Sequence, residues 1–250
     1  MLTVTTASGA TLEVLTLTRE QALHCWRGKL WGQTRLVMTD DTLIPSETDL
    51  HLHSTGSAKM DFALYPDTLL KLARGLKARR AADGIFARYR LQLPGRPVAV
   101  TFTPCDKNVP PMSAELAAAP QPGPQYNVND LKYRPLPGSR NWRLSVPPNA
   151  LTGLNNVFLQ FNLTGDTAAL YLNDRLVDDW FIYGPPMTVG LKNLASALAG
   201  GEFKLQLLPL TGARNIFWED PELKRQGLQA ELKGLTVLPE YEVTVQAATK

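Results

Sequence analysis

The feature that most limits what this chain can become is a two-residue hydrophobic period that runs uninterrupted in two places. Ile85, Ala87, Tyr89, Leu91 and Leu93 alternate with Phe86, Arg88, Arg90 and Gln92. Val157, Leu159, Phe161 and Leu163 alternate with Phe158, Gln160 and Asn162. Only an extended strand places every second side chain on one face, so both segments predict strands with one buried side. Shorter runs of strand character fill residues 34–38, 49–53, 60–65, 98–103, 168–172, 203–208 and 241–245, with two more expected at 215–218 and 228–235. Turn residues separate many of them, among them Asp40-Asp41, Pro66-Asp67 and Gly165-Asp166. Short strands at this spacing argue for sandwiches rather than for βαβ units. No fixed-period repeat runs through the chain.

Local signals refine this pattern. Leu12, Val14, Leu15 and Leu17 open with a loose strand pattern. Thr18-Arg19-Glu20-Gln21 is a capping box: the Thr18 hydroxyl accepts from the Gln21 amide while the Gln21 side chain reaches back. A short helix over residues 19–27, stopping at Gly28, follows from it. Residues 67–82 fit either a helix with Leu69, Leu72, Ala73 and Leu76 on its apolar face or a pair of strands. Residues 142–146 predict an edge strand, because Pro147-Pro148 closes it. Asn173-Asp174 between two apolar runs predicts a tight hairpin.

The boundary signal lies at residues 109–125. Pro110, Pro111, Pro120, Pro122 and Pro124 cannot donate to a ladder, and such a stretch extends as a semi-rigid spacer. The expected organisation is therefore a β-sandwich module at 1–108 with one short helix, a Pro-rich linker at 109–125, and a second, jelly-roll-type β module at 126–250. The fold class is all-β.

Composition removes several function classes. A net charge of +3 from 26 basic and 23 acidic residues is too balanced for a nucleic-acid or membrane-surface protein. No apolar run approaches the ~20 residues that cross a bilayer. The opening Met1-Leu2-Thr3-Val4-Thr5-Thr6 lacks a basic region followed by an apolar one, so no signal peptide is expected, and cytoplasm and periplasm both remain open. Cys25 and Cys105 have neither CxxC spacing nor His partners, so a structural role is expected for both. No P-loop, dinucleotide glycine pattern, HExxH or nucleophile elbow is present, and no cofactor or metal is expected.

Four groups of residues remain as candidates for chemistry. His51 and His53 share one strand face, but no third ligand is near in sequence, so a solvent-facing polar pair is the expected role. The acidic pairs Asp40-Asp41, Asp178-Asp179 and Glu219-Asp220 do not suit a retaining glycosidase, whose two carboxyls must lie about 5–5.5 Å apart. Neighbouring strand residues face opposite ways, and loop pairs splay into water. Lys77, Arg79 and Arg80 form a basic cluster without the aromatics that stack bases. The fourth group is aromatic: Trp180, Phe181 and Tyr183 after Asp178-Asp179, and Trp218 before Glu219. Rings beside carboxylates suit sugars, which stack C–H faces and donate hydroxyls. Asp179, Trp180, Tyr183, Trp218 and Glu219 are the candidate carbohydrate contacts. The same residues equally suit core plugs or an interface, and for Trp180 burial or docking is the preferred role.

Residues 156–181, NVFLQFNLTGDTAALYLNDRLVDDWF, resemble the C-terminal jelly-roll segment of bacterial β-galactosidases of glycoside hydrolase family 35. That family has a strand leading to Gly-Asp, a short hairpin, and then a segment similar to Tyr183-Gly184-Pro185-Pro186-Met187-Thr188-Val189-Gly190-Leu191. Leu205-Gln206-Leu207-Leu208-Pro209-Leu210 is similar to a further strand, and Val14 to Ala22 looks like the start of the β module after the catalytic barrel. The likeness is dense over residues 156–221. Asp174 stands where the family tends to have Gly, and Pro186-Met187 where it has Pro-Trp. The family's catalytic glutamates lie on a (β/α)8 barrel of about 250 residues, for which this chain has no alternating βα pattern, so no catalytic residue carries over. The resemblance implies a non-catalytic, galactose-binding-like accessory region that braces a barrel supplied in cis or in trans and contacts a galactoside or oligosaccharide. A stand-alone carbohydrate-binding protein and a structural module without sugar contact are the alternatives.

Overall fold

The computed structural model describes residues 2–73, 76–105, 109, 111, 113, 132–210 and 229–248. The Pro-rich spacer at 109–125 falls almost wholly outside them, as does the expected strand at 215–218. The chain divides into two compact units: Met1–Arg96 with Gly153–Asn155 and Glu240–Lys250, and Pro97–Thr152 with Asn156–Pro239.

In chain order, the first unit holds β1 (Leu2–Thr5), β2 (Thr11–Val14), α1 (Arg19–Leu23), β3 (Cys25–Leu30), β4 (Gln33–Thr39), β5 (Thr42–Pro45), β6 (Leu50–Thr55), β7 (Lys59–Tyr65), β8 (Leu70–Leu72), β9 (Ala78–Asp83) and β10 (Phe86–Gln92). The second holds β11 (Thr101–Pro104), β12 (Arg140–Ser145), β13 (Asn156–Thr164), β14 (Thr167–Leu172), β15 (Arg175–Phe181), β16 (Met187–Gly190), a 3-10 turn at Leu191–Ala197 and β17 (Phe203–Leu207). The long strand β18 (Glu231–Ala247) gives residues to both. Every strand pairing whose register is described is antiparallel. The all-β expectation holds.

The first unit is a sandwich. One sheet has the order β3-β4-β7-β10-β9. Facing it are β5, β6 and the Glu240–Ala247 half of β18, with β8 on that half's far end. Val37, Phe62, Leu64, Tyr89 and Leu91 from the first sheet and Leu50, Leu52, Tyr241, Val243 and Val245 from the second form one buried core. Within the segment that fits either a helix or a strand pair, Leu70–Leu72 and Ala78–Asp83 are strands: β8 pairs with β18 and β9 with β10.

The capping box forms as expected, with Gln21 N–H donating to Thr18 Oγ1 at 3.1 Å and Thr18 N–H to Gln21 Oε1 at 3.0 Å. The helix behind it is shorter than its sequence predicts. It ends at Leu23, and Cys25–Leu30 leaves to pair with β4. Trp31 and Gly32 close that hairpin at φ 54° and 74°. Trp31 is held there by its indole donating to the Thr48 carbonyl at 2.8 Å and by the Arg35 guanidinium 5.3 Å over its ring. Two ladder-paired strands outweigh one more helical turn.

In the second unit the sheet order is β11-β12-β17-β14-β15. β12 is therefore interior, not the edge strand its closing prolines predict, because Pro147-Pro148 lie past its last ladder pair, Thr101 with Ser145. Trp142, Leu144, Leu170, Leu172, Phe203, Leu205 and Leu207 are buried on one face. On the other sheet of this unit β13 pairs with β16 and buries Val157, Leu159, Phe161, Met187 and Val189. The β14–β15 hairpin turns at Asn173 and Asp174, with φ of 50° and 61°, as its sequence predicts. Gly165 is required by closeness: a Cβ there would stand 2.6 Å from the Leu208 carbonyl oxygen. Among the described residues no helix is long and apolar enough to cross a membrane.

Two expectations follow. A chain ending at Pro239 leaves β6 without its neighbour, so proteases should cut within residues 2–96 of the truncated chain while sparing them in the full one; equal resistance would contradict this dependence. Tyr89 donates its hydroxyl to Asp67 Oδ1 at 2.5 Å, and the Thr68 carbonyl oxygen lies 3.0 Å from the same hydroxyl. Burial, then the Asp67 contact, pushes it from the ordinary 10 to about 12. Folding therefore favours the neutral phenol, and its stabilisation is complete below pH 10 and lost as pH rises through about 12. Urea midpoints measured across that window should fall in the wild type and flatten in Tyr89→Phe.

Candidate functional site

Strand β15 carries three of the residues singled out by sequence. Its register is Leu170 with Asp178, Ala169 with Asp179 and Ala168 with Trp180, after a bulge next to Tyr171. Directly opposed residues share a face. Asp178 and Trp180 therefore lie on the face of Leu170 and Ala168, which are 0% and 3% exposed. Asp179 lies on the opposite face with Ala169. Trp180 and Asp178 are half-buried and Asp179 is exposed. Burial pushes the Asp178 carboxyl up, and it accepts the Asp179 N–H at 2.9 Å.

Past β15 the chain turns sharply. Ile182 is buried, and its N–H donates to the Asp166 carbonyl at 2.9 Å. Gly184 follows at φ 122°. Between these two fixed points Tyr183 lays its ring on Trp180, with centroids 5.4 Å apart and planes 28° from parallel. Tyr183 is 60% exposed and Phe181 52%. The Trp180 indole Nε1 is sealed from solvent and finds no acceptor among the described residues. Trp218 and Glu219 lie outside the described residues, so the structure brings together Trp180, Tyr183 and Asp178, with Asp179 one face away.

The far face of the same sheet is polar and internally bonded. Gln206 Nε2 donates to the Arg134 carbonyl at 2.9 Å and to Asn141 Oδ1 at 3.1 Å, and Asn141 Nδ2 donates to Ser139 Oγ at 3.0 Å. Beside them Tyr133 and Tyr171 meet edge-to-face at 5.4 Å, and Lys204 Nζ sits 4.7 Å over the Tyr133 ring. The sequence does not mark this group, because Tyr133 and Lys204 lie far apart in the chain.

The first unit holds two further polar groups. His51 and His53 face across the ladder to Glu242 and Thr244. His51 Nδ1 is 3.1 Å from Glu242 Oε1, and His53 Nε2 is 3.7 Å from the same oxygen. Asn155 bonds Glu240 and reaches His53 Nδ1 at 3.4 Å. Glu242 lies 191 positions from His51 in the chain, which is why the sequence shows no partner beside the histidines. No three His, Cys, Asp or Glu side chains among the described residues are placed to hold a metal ion. A shallow groove beside α1 is lined by Gln21, His24, Asp40, Asp61 and Arg88. His24 Nδ1 meets Asp40 at 3.1 Å, while Asp61 is held by Arg88 Nε at 2.6 Å and Arg90 Nε at 2.9 Å. The Asp83 contact, then Asp61, raises the Arg88 guanidinium, so that arginine stays charged.

Trp180 stacks and half-buries its ring, so Trp180→Ala should cost about 2 kcal/mol, below the roughly 3–5 kcal/mol of a fully buried aromatic. A urea-denaturation series gives the value; an unchanged midpoint would mean that the ring carries no packing role.

No protein-family model and no curated protein matches the chain. Among solved structures it is similar to the glycoside hydrolase family 31 α-xylosidase of Xanthomonas citri, at 12% identity and a TM-score of 0.19. The likeness covers 91% of this chain and 28% of that enzyme, so the chain spans just over a quarter of the enzyme's length.

Proposed function

We propose that this chain is a non-catalytic β region of a carbohydrate-cleaving enzyme of the β-galactosidase type, bracing a barrel supplied in cis or in trans. The observation that carries the reading is where the family-like residues fall. Val157, Leu159, Phe161, Leu170, Leu172, Leu205 and Leu207 all lie in the stretch resembling family 35, and all are buried in β13, β14 and β17. The stretch that resembles family 35 thus supplies buried residues of both sheets of the second unit. The Asp178-Asp179 pair supplies no acid and base across one bond, because strand alternation sends the two carboxyls to opposite faces. A stand-alone carbohydrate-binding protein is the second reading, favoured by the exposed rings of Phe181 and Tyr183.

The deciding experiment pairs the chain with the barrel-type hydrolase encoded in its own longer reading frame or in an adjacent gene. Stoichiometric co-purification, with a longer half-life of galactoside hydrolysis on heating, is the expected result. Absence of such a barrel, or a barrel that neither binds nor gains lifetime, overturns the proposal. The chain by itself should release no nitrophenol from nitrophenyl-β-galactoside; release abolished by Asp178→Asn or Asp179→Asn would place catalysis here after all.

A further inference from the structure

We infer that Trp180 and Asp178 form a binding face for a single pyranose ring, and that Tyr183 covers this face when it is empty. The inference rests on the carbohydrate reading above and names its contact site.

Three features of β15 carry it. The first is the unsatisfied indole. A sealed N–H without an acceptor is rare in a folded protein and asks for an explanation. Here the donor belongs to an aromatic ring on an end strand of the sheet, not to one deep in the core. A ligand oxygen arriving beside the ring would satisfy it. The second is the carboxyl. Asp178 lies two residues from Trp180 on the same strand face, half-buried, so it can accept from a hydroxyl of a molecule lying on the ring. A ring face, a donor at its edge and an acceptor alongside match a pyranose, which offers C–H groups on one side and alternating hydroxyls around its rim.

The third is the cover. The Tyr183 ring occupies the space a sugar would take, stacked at 5.4 Å. It stands in for the pyranose in packing only, since it gives the Nε1 group no acceptor. Its own anchoring is one residue deep. Ile182 before it is buried and bonded to Asp166, Gly184 after it has φ 122°, and Tyr183 itself is 60% exposed. Tyr183 lies past the last residue of β15, so a different rotamer of its side chain breaks no ladder pair. A state that must open before binding lowers the apparent affinity by the fraction open, so removing the cover should tighten binding.

The test uses the full chain with ¹⁵N-labelled indoles, the Trp180 signal being assigned by its loss in Trp180→Phe. The probe is methyl β-galactopyranoside, with methyl β-glucopyranoside, methyl β-xylopyranoside and glycerol run alongside. Expected is a saturable shift of the Trp180 signal with a glycoside and none with glycerol. Binding, read by isothermal titration calorimetry because Trp180→Phe has no Trp180 signal, should weaken about tenfold in Trp180→Phe, which keeps an aromatic ring but loses the donor, and similarly in Asp178→Asn. It should tighten several-fold in Tyr183→Ala. The same spectra show whether each variant is folded. No saturable shift in wild type or Tyr183→Ala overturns the inference, as does binding that leaves the Trp180 signal unmoved or is indifferent to Tyr183. Binding at Trp180 by a chain that associates with no barrel would sink the accessory reading and leave this site standing.

Discussion

Leu50 and Leu52 reach 0% exposure because Tyr241, Val243 and Val245 arrive beside them from the other end of the chain. Without that neighbour β6 would have only β5, a four-residue strand, along its edges. The core shared with Phe62, Leu64 and Tyr89 would then open to water along one side. Pairing over such a separation is slow to find, since loop closure is unfavourable before the contact compensates it. Its stabilisation is the hydrophobic area that it seals, at about 25 cal/mol per Å². The polar face of the same pairing is used as well. His51, His53, Glu240, Glu242 and Asn155 bond one another there, so the ladder is fixed in register by both of its faces.

The same two-sidedness decides what the second unit can do chemically. A strand cannot present adjacent residues to one ligand, so the four residues from Asp178 to Phe181 split into two pairs. Asp178 and Trp180 go to the side of Leu170, while Asp179 and Phe181 go to the side of Ala169 and Thr167. On the second side the buried polar groups are matched, as the chain of bonds from Ser139 through Asn141 to Gln206 shows. On the first side the Trp180 indole is not.

Much of this arrangement was legible in the sequence. Strict alternation identified β10 and β13, the capping box identified the start of α1, and Asn173-Asp174 identified the β14–β15 turn. Each is a local rule, needing only a few neighbouring residues. What was missed depends on distant partners. Residues 24–27 look helical until β4 is available to pair with them, and Trp31 hides a turn because its positive φ is held by Thr48 and Arg35. β12 looked like an edge because proline follows it, though a proline beyond the last ladder pair removes no hydrogen bond. β18 runs through Pro239, where a break separated two shorter strands in the sequence reading. For the site, Trp180 and Tyr183 were visible as neighbours, but the carboxylate sharing their face followed only from the register of β14 and β15.

The Tyr183–Trp180 stack lies beside an indole donor that has no partner among the described residues. An aromatic pair adds about 0.5–1.5 kcal/mol beyond the area it buries. A sealed donor without a partner costs about 1–3 kcal/mol. The two ranges overlap, so the stack and the unpaired donor are contributions of comparable size and opposite sign. The backbone beside the stack is fixed by Ile182, whose N–H donates to the Asp166 carbonyl directly before Tyr183. A ligand that supplies both a ring-sized apolar face and an acceptor recovers the stack and satisfies the donor together, which neither Tyr183 nor water can do alone.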